Sequence, residues 1–174
     1  MPDANAALVE ADPTDTSGPN VQIVGDSYVA STLSNRLKGV VEVRLLTDDA
    51  GVASHARIED VRLVVDADRQ DTAREDADYL VVTGELLSSE TLSHVAGDEY
   101  SVTVVAMNAD SRTFLAAQLL RVLFDQEEVV TLIKDPRRAE TIEDIVTETI
   151  CSSGLAASAI GSFVEDRIAT LERA

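Results

Sequence analysis

Residues 102–133 read VTVVAMNADSRTFLAAQLLRVLFDQEEVVTLI, and this stretch decides the fold class. It holds two apolar runs that are rich in β-branched residues, VTVVAM at 102–107 and VVTLI at 129–133. Apolar runs without polar alternation are typical of strands that are buried on both faces of a parallel sheet. The segment between them has helical spacing, so the stretch is predicted to form a strand, a helix and a second, parallel strand.

The connecting helix is predicted over residues 111–124. Asp110 and Ser111 stand at its start, and their side-chain oxygens suit a helix N-cap. Leu115, Leu119 and Val122 follow each other at three- or four-residue intervals, which places them on one face of the helix. We expect this face to pack against the sheet.

The alternation of strands and helices extends to both sides of this stretch. Further strands are predicted at 21–24, 41–46, 62–65, 79–82 and 147–150. Further helices are predicted at 27–37, 50–58, 69–76, 89–95 and 136–145. The whole pattern predicts an α/β fold with a doubly wound, mostly parallel, Rossmann-like sheet.

The two ends of the chain differ from this pattern. Residues 1–20 are rich in Pro, Asp, Thr and Ser and lack periodicity, so we expect a disordered or loosely attached tail. Residues 21–153 are predicted to be one Rossmann-like domain, and residues 154–174 a C-terminal helix. Ile160, Val164, Ile168 and Leu171 form an apolar stripe on this helix. The stripe either packs back on the sheet or contacts a partner helix in a dimer.

The charge balance narrows the classes of partner. The 174 residues include 14 Lys and Arg against 32 Asp and Glu, a formal net charge of −18. Such a surface argues against nucleic acid and against anionic lipid, both of which attract basic proteins. No apolar run reaches the roughly 18–20 residues of a membrane helix, and the N-terminus lacks the pattern of a signal peptide. The sequence predicts a cytoplasmic protein without direct membrane insertion.

The rare residue types carry further information. Only Lys38 and Lys134 are lysines, and aromatic residues make up 3% of the chain. An acidic surface that is poor in lysine is typical of proteins that stay hydrated in concentrated salt, so we expect a haloarchaeal source. One cysteine and two distant histidines argue against a disulfide framework and a metal site. Cys151 is predicted to be a packed, unreactive thiol.

The turn after the first strand is compared with a dinucleotide-binding motif. In VQIVGDSYVA, residues 21–30, the three glycine positions of G-x-G-x-x-G are taken by Gly25, Ser27 and Ala30. The Ser27 hydroxyl is a candidate phosphate donor. Asp26 opposes phosphate binding, because it places a negative charge at the N-terminus of the next helix.

A dinucleotide site also needs an acidic residue about 20 positions further on, which binds the ribose hydroxyls. Asp48 stands 23 positions after Gly25, at the end of a predicted strand. Asp66 ends the following strand and is the second candidate. We favour Asp48 on its distance from Gly25.

The second half of the chain resembles the N-terminal nucleotide-binding domain of TrkA-type potassium-uptake proteins, the RCK (regulator of potassium conductance) domains. The matching pieces are MNAD at 107–110, FLAAQL at 114–119, VTLIKDP at 130–136 and ETICSS at 148–153. The resemblance covers residues 100–160 and, with fewer matches, 21–49. The middle fits only with an insertion of about one strand–helix unit, and Leu132 stands where the family has an arginine.

This resemblance implies a regulatory domain that senses a nucleotide and acts in potassium transport. The ligand it implies is NAD(H), an adenine nucleotide or a cyclic dinucleotide, with no cofactor required for folding. The implied partners are the membrane subunit of a potassium transporter, a second regulatory subunit, or a second copy in a homodimer. The candidate binding residues are Gly25, Asp26, Ser27, Tyr28, Ala30, Asp48, Asn108 and Lys134.

Three functional hypotheses follow. The first is a non-enzymatic TrkA-N-type regulator with weak or conditional nucleotide binding. The second is a degenerate domain that has lost the nucleotide and serves as a structural or dimerising subunit. The third is a dinucleotide-dependent enzyme, ranked last because no acid, base or nucleophile other than carboxylates is predicted near the strand ends. We therefore expect neither a catalytic residue nor a metal ligand.

Overall fold

A computed structural model describes residues 18–68, 79–95 and 100–171, and its strands form one parallel sheet. Within the described residues the seven strands are β1 (Asn20–Val24), β2 (Glu42–Thr47), β3 (Asp60–Val65), β4 (Leu80–Thr83), β5 (Val102–Val105), β6 (Val129–Ile133) and β7 (Glu148–Cys151). Every pair of neighbouring strands is parallel. The seven predicted strands and the α/β class are therefore confirmed.

The helices lie between the strands, as predicted. They are α1 (Tyr28–Leu37), α2 (Ala50–His55), α3 (Ser89–Val95), α4 (Asp110–Leu123), α5 (Ala139–Ile142) and α6 (Ser152–Leu171). The segment predicted as a helix over 136–145 is shorter: a 3-10 turn at Pro136–Arg138 leads into α5, and Asp135 caps the turn by accepting from the Arg137 amide. The helix predicted at 69–76 and most of the predicted tail lie outside the described residues.

The strand order is β4-β3-β2-β1-β5-β6-β7, so the chain winds outward from β1 in both directions. The common dinucleotide-binding order is 3-2-1-4-5-6, which has a single strand beyond the second. Here two strands, β3 and β4, occupy that side. The predicted insertion of one strand–helix unit is thus confirmed, and it lies at one end of the sheet.

Two apolar layers cover the two faces of the sheet. Side chains alternate along a strand, so Ile23 enters the layer under α1 and α2, whereas Val24 enters the layer under α3 and α4. Leu45 and Leu46 on β2 divide in the same way, and all four side chains are fully buried. Central strands that are buried on both faces explain the continuous apolar runs of the sequence.

The predicted inner face of α4 is displaced by about one residue: Leu119 packs against the core as predicted, but Leu115 and Val122 do not. Leu115 is 45% exposed and Val122 is 76% exposed, whereas Ala116, Ala117 and Leu120 are fully buried. A shift of one residue rotates the buried face by about 100°. Two alanines on the inner face allow the helix axis to approach the sheet closely, and Leu115, Val122 and Leu123 are left on the outer face.

Helix α6 does not pack along the sheet, so this alternative is wrong. Its large apolar side chains are between 45% and 70% exposed; they are Leu155, Ile160, Phe163, Val164, Ile168 and Leu171. Ser152 attaches the start of the helix by donating to the Ile133 carbonyl at 3.0 Å. No helix in the described part of the chain has both the length and the apolar character that a membrane crossing requires.

An ion-pair cluster lies near the amino ends of β2 and β3. The register places Arg44 opposite Asp60, and the Arg44 Nε lies 2.5 Å from the carboxylate of Asp60. Arg62 donates to the other carboxylate oxygen at 3.0 Å. The guanidinium of Arg44 also lies 5.3 Å from the centre of the Tyr100 ring.

We expect this cluster to make a pH-dependent contribution to the free energy of unfolding. Burial raises the pKa of Asp60, but the hydrogen bonds and charges of Arg44 and Arg62 outweigh it, and the pKa lies below its ordinary value of 3.8. A lowered pKa stabilises the fold above about pH 4, and the effect is lost as the pH falls through the folded-state value. Urea unfolding between pH 3 and pH 6 should therefore show a steeper acid loss in the wild type than in Asp60→Asn. Glu59→Gln, which neutralises an exposed neighbour, should retain the wild-type slope.

Candidate functional site

The site lies where the strand order reverses, between β1 and β5. Open parallel sheets bind ligands in the crevice at the carboxyl ends of the strands at this point. The residues that follow β1 are Gly25, Asp26 and Ser27, and those that follow β5 include Ala106 and Asn108. The predicted glycine turn is thus at the expected place in the fold.

Gly25 allows the ends of the two strands to approach each other. A Cβ atom added to it would lie 2.3 Å from the carbonyl oxygen of Ala106 and 3.0 Å from the Cβ of Ala30. The Gly25 amide donates to the carbonyl of Leu46 at 3.0 Å. The glycine is therefore required by contacts within the protein.

Asp26 joins the two sides of the crevice. Its carboxylate accepts from the Asn108 amide at 2.6 Å, and its carbonyl accepts from the Asn108 side chain at 2.6 Å. A guanidinium nitrogen of Arg112 lies 2.5 Å from the second carboxylate oxygen. The side chain of Asp26 is only 11% exposed. The acid predicted to oppose phosphate binding thus holds the switch point closed.

Arg112 extends this contact to the next strand. Its second terminal nitrogen donates to the carboxylate of Asp48 at 2.6 Å, so that one guanidinium binds two carboxylates. We name the set Asp26, Arg112 and Asp48 the Arg112 bridge. Burial lowers the pKa of Arg112, but the hydrogen bond that Arg112 donates to Asp48 and the charges of Asp48, Asp26 and Glu85 outweigh it and raise the pKa. The positive charge of Arg112 is therefore stabilised by the carboxylates of Asp26 and Asp48, one on each side.

The other predicted residues of the turn have roles within the protein. The Ser27 hydroxyl donates to the carbonyl of Ala106 at 2.8 Å, so this hydroxyl is directed at β5. Ala30 is fully buried beside Gly25. Tyr28 is 60% exposed and packs edge-to-face against His55 of α2, with 5.5 Å between the ring centres. Tyr28 therefore lies against α2, while Asp26 occupies the crevice.

Asn108 and Lys134 connect the loops that follow β5 and β6. The Lys134 ammonium donates to the carbonyl of Asn108 at 2.7 Å. The carboxylate of Asp110 accepts from the amides of Lys134 and Asp135, at 2.9 and 3.0 Å. Asp110 was predicted to cap α4, but α4 begins at Asp110 itself with Ala109 at the N-cap. Because α4 begins one residue earlier than predicted, Asp110 is the first residue of the helix and not its N-cap. Its carboxylate binds the amides of the neighbouring loop instead.

The loop after β6 also contacts the first turn of α6. The Ser153 hydroxyl donates to the carbonyl of Lys134 at 2.6 Å. Cys151 is half-buried, with its sulfur 3.2 Å from the Ser153 oxygen. The hydrogen bond with Ser153 lowers the pKa of the Cys151 thiol. Cys151 is thus only partly packed, because β7 ends at the rim of the sheet, and its lack of reactivity stays a prediction.

A cavity of about 750 Å³ lies beside the Arg112 bridge, at the carboxyl ends of β2, β3 and β4. Its walls include Asp48, Asp66, Glu85, Arg112 and Leu115. This volume is within the range of small-molecule sites. Arg112 connects Asp48 to Asp26 in the Gly25 turn. Asp66 is exposed and follows β3, one strand further from this turn.

Arg112 was not predicted from the sequence as a site residue. Six of the predicted residues meet at this edge of the sheet: Gly25, Asp26, Ser27, Asp48, Asn108 and Lys134. Arg112 lies in the first turn of the helix after β5, which opens on the switch point. A basic residue at that position, in a chain with only 14 of them, was the available clue. Among the described residues, no group of three or more Cys, His, Asp or Glu side chains is arranged to hold a metal ion.

A comparison with protein-family models identifies the family. The model of the TrkA-N domain matches residues 53–153, which is more than half of the chain. The chain belongs to the TrkA-N domain family. The Gly25 turn and Asp48 of this TrkA-N domain precede the matched range. A comparison with curated proteins gave no match.

Solved structures share the fold of this TrkA-N domain. The NAD(P)-binding domain of an exopolyphosphatase-related protein from Archaeoglobus fulgidus has a TM-score of 0.59 at 10% identity, over 84% of this chain and 97% of that one. The GsuK RCK domain has a TM-score of 0.52 at 18% identity, and the GsuK channel 0.52 at 17%; each covers 79% of this chain. The chain spans about a quarter of the GsuK chains, 26% and 22%. The TrkA-N domain therefore has the Rossmann-like fold of NAD(P)-binding and RCK domains.

Proposed function

We propose that this TrkA-N domain is a non-enzymatic regulator in potassium transport, and that it binds a nucleotide only when the Arg112 bridge opens. The Arg112 bridge is the observation on which this proposal depends. It crosses the crevice at the switch point, where a Rossmann-like sheet binds the phosphates of its ligand.

Binding is conditional because the phosphate position is already occupied by a carboxylate. A phosphate at the start of α1 would meet Asp26, which is held there by Arg112 and Asn108. If Arg112 turned to the phosphate, the largely buried Asp26 would lose its charged partner, and an unpaired buried charge is costly. The apparent affinity is reduced by the fraction of molecules in which the bridge is open.

The cavity beside the bridge suits the rest of the ligand. Once Arg112 leaves Asp48, this carboxylate is available to the hydroxyls of a ribose, and the apolar side chain of Leu115 lines the same cavity. The ligand class is therefore an adenine nucleotide or NAD(H), with the ribose at Asp48. Lys134, in the loop after β6, is a second cation at this edge of the sheet.

A regulatory role fits the pairing of the polar groups at this edge. Asp26 and Asp48 bind Arg112, Asp110 binds two backbone amides, and Lys134 binds a carbonyl.

The family and the fold shared with the GsuK channel's RCK domain support a transporter subunit as the partner. In this proposal the domain acts on the cytoplasmic side of a potassium transporter.

The exposed helix α6 favours a second candidate, a dimerising domain that has lost the nucleotide. Its first 13 residues, SSGLAASAIGSFV, carry no charge in a chain of net charge −18. Copies of an acidic chain repel each other least at a neutral segment. The outer face of α4 adds Val122 and Leu123, which are 76% and 53% exposed. The dimerising candidate depends on a homodimer formed through α6, whereas the regulatory candidate is compatible with one.

A nucleotide-binding experiment separates the two candidates. Thermal unfolding is measured in molar potassium chloride with NAD, NADH, ATP, ADP and cyclic di-AMP, for the wild type and for Asp26→Asn. The asparagine retains an oxygen for the Asn108 amide and removes the charge, so we expect about tenfold tighter binding, or about 1.4 kcal/mol. A ligand at 100 times its dissociation constant stabilises the fold by about 2.7 kcal/mol.

Asp144→Asn is the matched control. It removes the same charge from an exposed residue that is not part of the cavity wall. In molar salt its affinity should equal that of the wild type, because distant exposed charges are screened. If no nucleotide shifts the melting of folded wild type or of folded Asp26→Asn, the regulatory proposal is wrong and the dimerising candidate replaces it.

A further inference from the structure

A continuous series of polar contacts runs along the carboxyl edge of the sheet, from the cavity to α6. It starts with the Arg112 bridge, in which Asp48 and Asp26 share one guanidinium. Asp26 then binds Asn108 through two hydrogen bonds, one to the backbone amide and one to the side-chain amide. We name the complete series the edge chain; its members are Asp48, Arg112, Asp26, Asn108, Lys134 and Ser153.

The second half of the edge chain passes through two carbonyl groups. The carbonyl of Asn108 accepts from the Lys134 ammonium, and the carbonyl of Lys134 accepts from the Ser153 hydroxyl. Asp110, which shares the first turn of α4 with Arg112, holds the amides of Lys134 and Asp135. The first turn of α4 therefore contacts the crevice on one side and the loop beneath α6 on the other.

Helix α6 is attached to the sheet mainly at its start. Ser152 and Ser153 donate to the carbonyls of Ile133 and Lys134, whereas its large apolar side chains lie in solvent. A helix of 20 residues is about 30 Å long. A small change in the orientation of its first turn therefore displaces the far end by a much larger distance.

We propose that opening of the Arg112 bridge loosens the first turn of α6, so that the state of the crevice controls the position of this helix. The inference deepens the proposed function, because it assigns the regulatory output of the crevice to α6. When Asp26 loses Arg112, its carboxylate is free to move, and Asn108 cannot keep both of its bonds to Asp26. The Asn108 carbonyl then moves relative to Lys134, and the Lys134 loop moves relative to Ser153.

Amide hydrogen exchange of the full chain in molar potassium chloride tests this coupling without any nucleotide. The reporters are the amides of residues 156–160, which bond to carbonyls in the first turn of α6. We expect Arg112→Ala to raise their exchange rates at least fivefold. Arg121→Ala is the control, because Arg121 is on the same helix but donates to the carbonyls of Gln126 and Glu127 at its far end.

A variant with two substitutions tests whether the coupling runs through the edge chain. Ser153→Ala alone removes the last contact of the edge chain, so the variant that carries both Arg112→Ala and Ser153→Ala should exchange little faster than Ser153→Ala alone. Unchanged exchange in Arg112→Ala, or two effects that simply add, would overturn the coupling. Should Arg112→Ala fail to fold, Asp48→Asn weakens the bridge at its more exposed end, and we expect it to raise the exchange rates by a smaller factor. If Asp48→Asn leaves the exchange rates unchanged, the coupling is overturned as well. A wild type that binds no nucleotide would contradict the proposed function and leave this result intact.

Discussion

The Gly25→Val variant should lose about 3 kcal/mol of its free energy of unfolding. Any side chain at this position places its Cβ 2.3 Å from the carbonyl oxygen of Ala106 and 2.9 Å from the carbonyl carbon. Both atoms belong to the backbone of the loop after β5, which cannot rotate away as a side chain can. The ends of β1 and β5 must separate, and the hydrogen bonds between Asp26 and Asn108 are strained with them.

Gly161→Ala is the matched control for this substitution. A Cβ at Gly161 meets no other atom within 4 Å. Alanine is favoured over glycine within a helix by about 0.5–1 kcal/mol, so this variant should be slightly more stable. Urea unfolding followed by circular dichroism in molar potassium chloride measures both variants. If Gly25→Val were as stable as the wild type, the close approach of the two strand ends would be disproved.

Dimer formation should be lost when a charge is placed on α6. Phe163 is 70% exposed in the single chain and lies on the same helix face as Ile160 and Val164. We expect the wild type to be a dimer at micromolar concentration. Phe163→Glu should weaken the dimer at least 100-fold, about 2.7 kcal/mol, because an unpaired carboxylate would be buried in the interface. Sedimentation equilibrium over a concentration series measures the dissociation constant.

Ser162→Glu adds the same charge at the neighbouring position. Successive residues of a helix are about 100° apart, so Ser162 lies nearly opposite Leu171 on α6. This variant should dimerise as the wild type does. A wild type that stays monomeric at every concentration, or equal weakening by both variants, would contradict an interface on the apolar face of α6.

The strands could be predicted because their sequence pattern has a local cause. Strands such as β5 and β6 are buried on one face and half-buried on the other, and their apolar, β-branched residues are adjacent in the sequence. The inner face of α4 could not be predicted in the same way. Leu115, Leu119 and Val122 repeat with helical spacing, but of these only Leu119 packs against the core, beside the fully buried Ala116 and Ala117. Which face is buried depends on how closely the helix approaches the sheet, and this is a tertiary property.

The position of the candidate site could be predicted, but its closed state could not. The Gly25 turn and Asp48 are recognisable because their spacing follows from the βαβ connection. The contacts that close the crevice join Asp26 to Asn108 and Arg112, which are 82 and 86 positions away. Only the strand order brings these residues together. The direction of the Ser27 hydroxyl, toward β5, depends on the same long-range pairing.

The position of β1 between β2 and β5 also has a consequence for biosynthesis. β1 is synthesised before the other described strands of the sheet, but its second neighbour begins at Val102. Until β5 has been synthesised, the growing chain presents the unpaired backbone edge of β1, which is a site for association with other chains. The domain therefore completes its central sheet late in translation, and a nascent chain halted before β5 is the form most prone to aggregate.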